Sequence, residues 1–325
     1  MSEITIAARK FLRLFDYLSR IDLDVDAIAD AVNLSPARIA ELPPGEGLPA
    51  RQYSRLYKQA VVQMQTLNQP VPWGAGVRSD AFELKCHRMI SGRTLREALH
   101  LAGRFESLLY PLISHKVLLI EEGDLARLGY FIRVPGDESD LVPQEWDRAD
   151  YTDTVARASG LLTWHALCGW LVGQSLEASE VNISAPHVTD EYQEGLRRVF
   201  RCPIQFDTEV NEMVFSAEQL DRRLVHTADS LRAFLDNAVY ELIANDREPV
   251  STSSAIKSLI SSDLPTGMPS FTRISEHLNM SESSLRRRLQ KENTSYQNLK
   301  DEVRCQIAID KLLNDEATVA DLADY

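Results

Sequence analysis

Ser283-Ser284-Leu285-Arg286-Arg287-Arg288-Leu289 is the stretch on which the reading of this chain turns. It follows Phe271 to Ser281, which reads as a short helix and a tight turn. Placed on a helix at about 100° per residue, Glu282 to Glu292 separates into two sides. Leu285 and Leu289 stack at i,i+4 and face a core. Ser283, Arg286, Arg287 and Gln290 fall at i, i+3, i+4 and i+7 on the opposite side. Those side chains suit base edges in a major groove: arginine forks onto guanine O6 and N7, glutamine pairs with adenine, and serine bonds either way. Ser281 is the expected N-cap, and the helix start behind it favours a phosphate. Arg288 and Lys291 lie on the flanks, placed for phosphate rather than for bases. A solvated basic face is the bland alternative, and the arginine run alone does not separate the two. The preceding segment does: Ile274 and Leu278 at i,i+4, with Asn279-Met280-Ser281 as a turn, complete a helix-turn-helix unit over 271–291.

The arginines stand out because the 325-residue chain has a net charge of −13. Residues 270–314 hold eight Lys/Arg and six Asp/Glu, a net of +2, whereas residues 1–250 hold 26 and 37, a net of −11. This excludes indiscriminate nucleic-acid binding by the whole surface and confines phosphate attraction to one place.

The length suits two domains with separate cores. Met1 to Phe15 has no apolar run of the signal-peptide kind. Leu161 to Gly173 is too short for a bilayer, which needs ~20 residues. Cys86, Cys168, Cys202 and Cys305 are scattered without a CxxC, which suits free thiols in a reducing cytoplasm better than disulfides or zinc. A cytoplasmic protein with no membrane partner is the expectation.

Residues 5–20 read as a helix with Phe11, Leu12, Phe15 and Leu18 on one face. Leu23 to Leu42 reads as two short helices broken at Asn33-Leu34-Ser35-Pro36, with a stop at Pro43-Pro44-Gly45. That hairpin mimics a helix-turn-helix, but its second helix carries only Arg38 among Asp24, Asp26, Asp30 and Glu41, so it is read as part of the N-terminal domain. Helices are expected at 51–67 and 94–109. Val117 to Ile120, a turn at Glu122-Gly123-Asp124, and alternating Leu128, Tyr130, Ile132 and Val134 predict a β-hairpin. A long buried helix is expected over 146–172, strands at 181–184, 204–206 and 213–215, and a helix at 190–200. The mixture is α+β with an antiparallel sheet. Leu231 to Ile243 reads as one helix and Asn245 to Ser254 as a polar linker. Helices at 254–262, 271–278, 282–291, 295–313 and from Val319 make the rest all-α. The expected division is a sensor and dimerisation domain over 1–225, a helix and linker over 226–250, and an all-α helix-turn-helix domain over 251–325.

Within the first domain, Arg104, Tyr110, His115, Tyr130, Trp164, His165 and Trp170 are candidates for a ligand pocket, being charges or polar-tipped aromatics inside apolar segments. Any one of them is more ordinarily core. His165 and Cys168 at i,i+3 lack a second pair of ligands, so no metal site is expected. Gly74-Ala75-Gly76 has no third glycine at Ser79, and GxSxG, HExxH and Walker sequences are absent, so neither an enzyme nor a cofactor is expected.

From Phe271 onward the sequence resembles the AraC/XylS family of bacterial transcription regulators. The carrying residues are Phe271 to Leu278, Asn279-Met280-Ser281, Ser284 to Leu289, Thr294 to Gln297, Asp301 to Arg304 and Ala308 to Leu313. The N-terminal part is similar to the arabinose-binding-type sensor of one branch, through Leu23 to Leu34, Thr94 to Ala98, and Val199 to Phe206 with Asn211 and Val214-Phe215. The resemblance implies an effector-responsive activator or repressor of transcription, often dimeric. Its partners would be double-stranded DNA, a second copy of the chain, a small-molecule effector and RNA polymerase. It implies base contacts by the positions of Ser283, Arg286 and Arg287, and a phosphate contact at Ser295-Tyr296. Family domains carry a second helix-turn-helix. Here Thr318 to Tyr325 looks like only the opening of its first helix, so an incomplete second unit is expected, frayed from about residue 315. A second reading therefore stays open: an interaction protein that pairs with an intact subunit.

Overall fold

The computed structural model describes residues 4–43, 45–67, 74–133, 148–226, 228–247, 252–263, 268–278 and 280–313. Its first element is a short strand, β1 (Thr5–Ala7), where a helix is expected. It pairs antiparallel with β2 (Gly47–Pro49), which fixes where the helix α1 (Ala8–Arg20) begins. The buried side of α1 is Phe11, Leu14, Phe15 and Leu18, with Leu12 only half-buried. Helices α2 (Val25–Asp30) and α3 (Pro36–Ala40) are the expected hairpin. Asp24 and Ser35 cap them, each side chain accepting from a backbone N–H three residues on. Helix α4 (Ala50–Thr66) follows.

Helix α5 (Asp80–Met89) lies where the sequence offers no clear helical stripe. Its buried side is Phe82, Lys85, Cys86 and Met89, a correct i, i+3, i+4, i+7 pattern with a lysine in it. Helix α6 (Leu95–Ile113) is capped by Thr94 and stops at Ser114, whose φ of 60° lies in the left-handed region. The hairpin of β3 (His115–Glu122) and β4 (Leu125–Ile132) turns at Gly123. Val134 lies outside the described residues.

Helix α7 (Arg148–Val172) leads to β5 (Ala178–Asn182), α8 (Asp190–Phe200), β6 (Ile204–Gln205) and β7 (Glu212–Ser216). The sheet runs β3-β4-β7-β5-β6. It departs from the expected antiparallel sheet at one edge: β5 and β6 pair parallel. Helix α8 between them supplies the crossover that a parallel pair requires.

Along its described C-terminal half α7 is buried on every side, with Leu161, Trp164, Leu167, Cys168, Trp170 and Leu171 all in the first core. Its Gly160 has a steric reason. A Cβ there would lie 1.9 Å from a ring carbon of Tyr130 on β4. Gly160→Ala is expected to destabilise the protein by about 1–3 kcal/mol through overpacking. This outweighs a helix-propensity gain of at most about 1 kcal/mol. Thermal unfolding followed by circular dichroism checks it, and an unchanged or higher midpoint would contradict the packing.

The helix expected over 231–243 is two: α9 (Ala228–Asp236) and α10 (Ala238–Arg247), broken at Asn237. The Asn237 N–H reaches back to the Phe234 carbonyl, and the Asn237 carbonyl accepts from Glu241 N–H to restart the helix. Both helices pack into the first core through Leu231, Phe234, Leu235, Ala238, Val239 and Leu242. The polar stretch 245–254 is helical wherever it is described, since α10 runs to Arg247 and α11 (Thr252–Asp263) has begun by Thr252; residues 248–251 lie outside the described residues. Glu292 causes the early start of α11: its carboxylate accepts from the N–H groups of Thr252 at 2.8 Å and Ser253 at 2.9 Å, and from the Ser253 hydroxyl.

The described residues from 252 onward form four helices: α11, α12 (Phe271–His277), α13 (Glu282–Lys291) and α14 (Tyr296–Leu313). They close a second core of Ile256, Leu259, Ile260, Ile274, Leu278, Leu285, Leu289, Leu299 and Val303, which Val225 joins from the N-terminal side. Helix α9 packs against α11. The helix expected from Val319 and the expected fraying lie outside the described residues.

Candidate functional site

Helix α13 is built as its sequence pattern requires. The Ser281 hydroxyl accepts from Ser284 N–H at 3.2 Å and lies 3.1 and 2.9 Å from the hydroxyls of Ser283 and Ser284. Leu285 and Leu289 are buried in one cluster with Ile274 of α12 and Leu278 just after it. The helix stops at Asn293, whose φ of 53° is left-handed, with Thr294 N–H bonded to the Leu289 carbonyl. Thr272 of α12 donates to Glu282 at the start of α13, 2.5 Å away, which ties the two helices across the turn. Asn279 in that turn lies outside the described residues.

Ser283, Arg286, Arg287 and Gln290 are all exposed on the side away from Leu285 and Leu289. Arg286 has a partner the sequence reading missed. Its guanidinium sits 5.5 Å from the centroid of the Phe271 ring, a cation–π contact. Lys291 is exposed, and Arg288 is half-buried. Burial lowers the Arg222 pKa, the Glu177 and Glu218 charges oppose it, and the nearby Arg288 charge lowers it a little further. Arg288 therefore lies on the flank nearest the N-terminal part.

Ser295 is exposed and caps α14, its hydroxyl accepting from Asn298 N–H at 3.2 Å. Tyr296 differs from expectation. Its hydroxyl donates to the Pro269 carbonyl, and its ring packs against Phe271 with centroids 5.4 Å apart. The single phenolic proton is thus committed within the helical unit and is not offered to a phosphate. Glu292, which caps α11, was equally unforeseen. Glu292→Ala should cost roughly 0.5–2 kcal/mol, the usual range for a lost cap. Urea unfolding of the wild type and the variant measures it; an unaltered midpoint would mean that α11 is held at its start by other contacts.

The seven pocket candidates do not gather in one place. Arg104 is exposed. Tyr110 is half-buried, with Lys116 and Arg133 over its ring at 4.9 and 5.3 Å. His165 bonds the Leu176 carbonyl at 2.9 Å and meets Phe200 edge-on. Trp170 stacks on His226 and Phe234 at 3.6 and 4.1 Å.

The remaining three, His115, Tyr130 and Trp164, converge on a pair the sequence reading missed. Lys85 Nζ of α5 donates to Glu106 Oε1 of α6 at 2.7 Å, and each side chain is 1% exposed. Lys85 Nζ also lies 4.8 and 4.5 Å from the ring centroids of Phe82 and Trp164. His115 Nε2 is 3.6 Å from Glu106 Oε1, and its ring is 6.1 Å from that of Tyr130. Burial, helped by the Lys85 charge, lowers the His115 pKa to about 3, so the imidazole is neutral. Burial pushes the Glu106 carboxyl up, opposed by the charge and hydrogen bond of Lys85.

The turn Gly74-Ala75-Gly76 closes this cluster with positive φ at all three residues. A Cβ at Gly76 would lie 3.0 Å from His115 Cε1, so the close approach needs a glycine. Among the described residues no three His, Cys, Asp or Glu side chains gather as a metal site, and no helix is long and apolar enough to cross a membrane.

Residues 23–224 match the family model of the N-terminal arabinose-binding domain of AraC transcription regulators. The match takes in more than half of the chain, and the chain belongs to that family. Among solved structures, the transcriptional regulator CdpR from Pseudomonas aeruginosa is 18% identical over 97% of this chain and 89% of its own, with a TM-score of 0.34, a likeness too slight to bear on function. No curated protein matches the chain.

Proposed function

We propose that this chain is a sequence-specific, DNA-binding transcription regulator that reads the major groove with α13. In this reading residues 1–250 sense and dimerise, with α9 and α10 packed into that core, and 251–325 bind DNA. The observation that carries it is the division of α13. Leu285 and Leu289 are sealed against α12, while Ser283, Arg286, Arg287 and Gln290 share an unobstructed face. A helix fixed from behind and offering arginine, glutamine and serine in front has the chemistry of direct readout. The basic excess is local to this region of an acidic chain, which limits phosphate attraction to it. Membership of a regulator family agrees with this reading. A homodimer on double-stranded DNA, a small-molecule effector and contact with RNA polymerase in the cytoplasm belong to the same proposal.

The phosphate contacts in this proposal are Ser281, Arg288, Lys291 and Ser295. Tyr296 serves instead as a brace beneath Phe271. The test is a mobility-shift assay on the 325-residue chain, at stated salt, with DNA selected from a random pool. The expected result is a shift that survives excess unrelated DNA. No enrichment over rounds of selection, or a shift abolished by competitor, would overturn the reading in favour of an interaction protein.

A further inference from the structure

We propose that the N-terminal domain itself touches DNA: Arg93 and Arg223 form a basic surface beside α13 that takes phosphates of the duplex backbone bordering the groove. The proposal rests on the DNA reading above and extends its contacts beyond the helical unit.

Backbone pairing brings the two arginines together. Leu224 N–H donates to the Arg93 carbonyl and Leu95 N–H to the Arg222 carbonyl, both at 3.0 Å, around a bridge between Thr94 and Arg223. The same segment meets the DNA-binding unit. Leu224 lies in the first core, whereas Val225 lies in the second, in one cluster with Leu285 and Leu289 of α13. Side chains alternate along an extended segment, so Arg223 leaves it on the side of Val225. Arg223 is exposed there, and the Arg93 side chain is 88% exposed. Arg222 ties the segment down, its Nη1 donating to the Ser175 carbonyl at 3.1 Å, and it is the residue that feels the charge of Arg288.

The local charge has the right sign. Residues 87–96 and 222–226 hold five arginines and no Asp or Glu, within the 1–250 stretch whose net is −11. Arg96 is spent on Glu121 and Asp221. Arg93 has only Glu97, at 3.7 Å, and exposed Arg88 bonds the Ser91 hydroxyl at 3.2 Å. Like charges gathered at one seam of an acidic domain repel, and a row of phosphates is the partner that relieves them. Geometry fits the same partner. The major groove is roughly 12 Å wide, and a helix with its side chains is about 10–12 Å across. The phosphate rows therefore pass close to both flanks of a helix seated in the groove. On the Arg288 flank the row runs on to Arg223 and Arg93, whose guanidinium groups suit phosphate oxygens.

The test is competition binding by the full chain, on selected and random DNA, at several salt concentrations. The double variant Arg93→Ala with Arg223→Ala should bind both DNAs severalfold more weakly, and its slope of affinity against salt should be shallower by about two. Arg93→Lys with Arg223→Lys keeps the charge and should keep the slope. Arg197→Ala with Arg198→Ala, an exposed pair on α8 with the same change in net charge, should also leave it unaltered.

An unchanged slope for the alanine pair, an equal loss in the lysine pair, or an equal loss in the α8 pair would each overturn the surface. Two outcomes separate the readings. Preference for selected DNA with an unchanged slope in the alanine pair sinks the surface alone. A wild type without that preference, whose slope still falls in the alanine pair, sinks sequence-specific reading and leaves the surface. A wild type that binds no DNA sinks both.

Discussion

Arg286→Ala and Arg287→Ala are each expected to lower affinity for the selected DNA by roughly 5- to 150-fold, and affinity for random DNA far less. The figure follows from about 1–3 kcal/mol for a bidentate arginine–base pair. Both side chains are exposed on the open face of α13. Lys291→Ala serves as the contrast. It sits on a flank, and removing a phosphate contact should weaken all sequences about equally and reduce the slope of affinity against salt by about one. Competition binding at several salt concentrations, using specific and scrambled DNA, distinguishes the two patterns. Equal losses on both DNAs for all three variants would show that a different face of the helix meets the groove.

Lys85→Met should produce the largest change in stability of any substitution considered. It removes the partner of Glu106 and leaves a carboxylate buried, at a cost of about 3–5 kcal/mol. The melting midpoint should fall on the order of 10 °C. The double variant Lys85→Met with Glu106→Leu should recover most of that loss, because an ion pair exchanged for apolar groups of similar size is close to neutral. Calorimetry of the single and double variants measures both effects. A single variant that melts within a degree or two of the wild type would mean that Glu106 finds a proton or another partner at little cost.

Helices with a plain stripe were legible from the sequence alone. The pattern of α13 and its capping serine, Ser281, depend on neighbours within a few residues. What escaped depends on distant ones. Strand β1 exists because Thr5, Ile6 and Ala7 meet Pro49, Leu48 and Gly47, and a three-residue strand has no periodicity to read. The parallel register of β5 with β6 is decided by α8 between them, not by either strand. Lys85 and Glu106 escaped for a subtler reason. Each occupies a core position of its helix: Lys85 beside Phe82, Cys86 and Met89, and Glu106 four residues beyond Ala102 in the buried stripe Leu95, Ala98, Leu99 and Ala102. A charge there ordinarily argues against burial. Two opposite charges, each completing an apolar stripe, were the available sign of a buried pair. Tyr296 shows the converse limit, since only the fold reveals that the Pro269 carbonyl takes its proton.

The place of α9 bears on how this chain could be divided. Its apolar side, Leu231, Phe234 and Leu235, belongs to the first core, while the helix also packs against α11 of the second. The polar stretch near residue 250 invites a cut, yet the seam between the two cores does not fall there. A fragment starting at 251 would keep the Glu292 cap on α11 but leave the side of α11 that meets α9 open to water. Such a piece would be less cohesive than the same helices in the whole chain, and α9 is better regarded as a shared wall between two rooms than as the corridor that joins them.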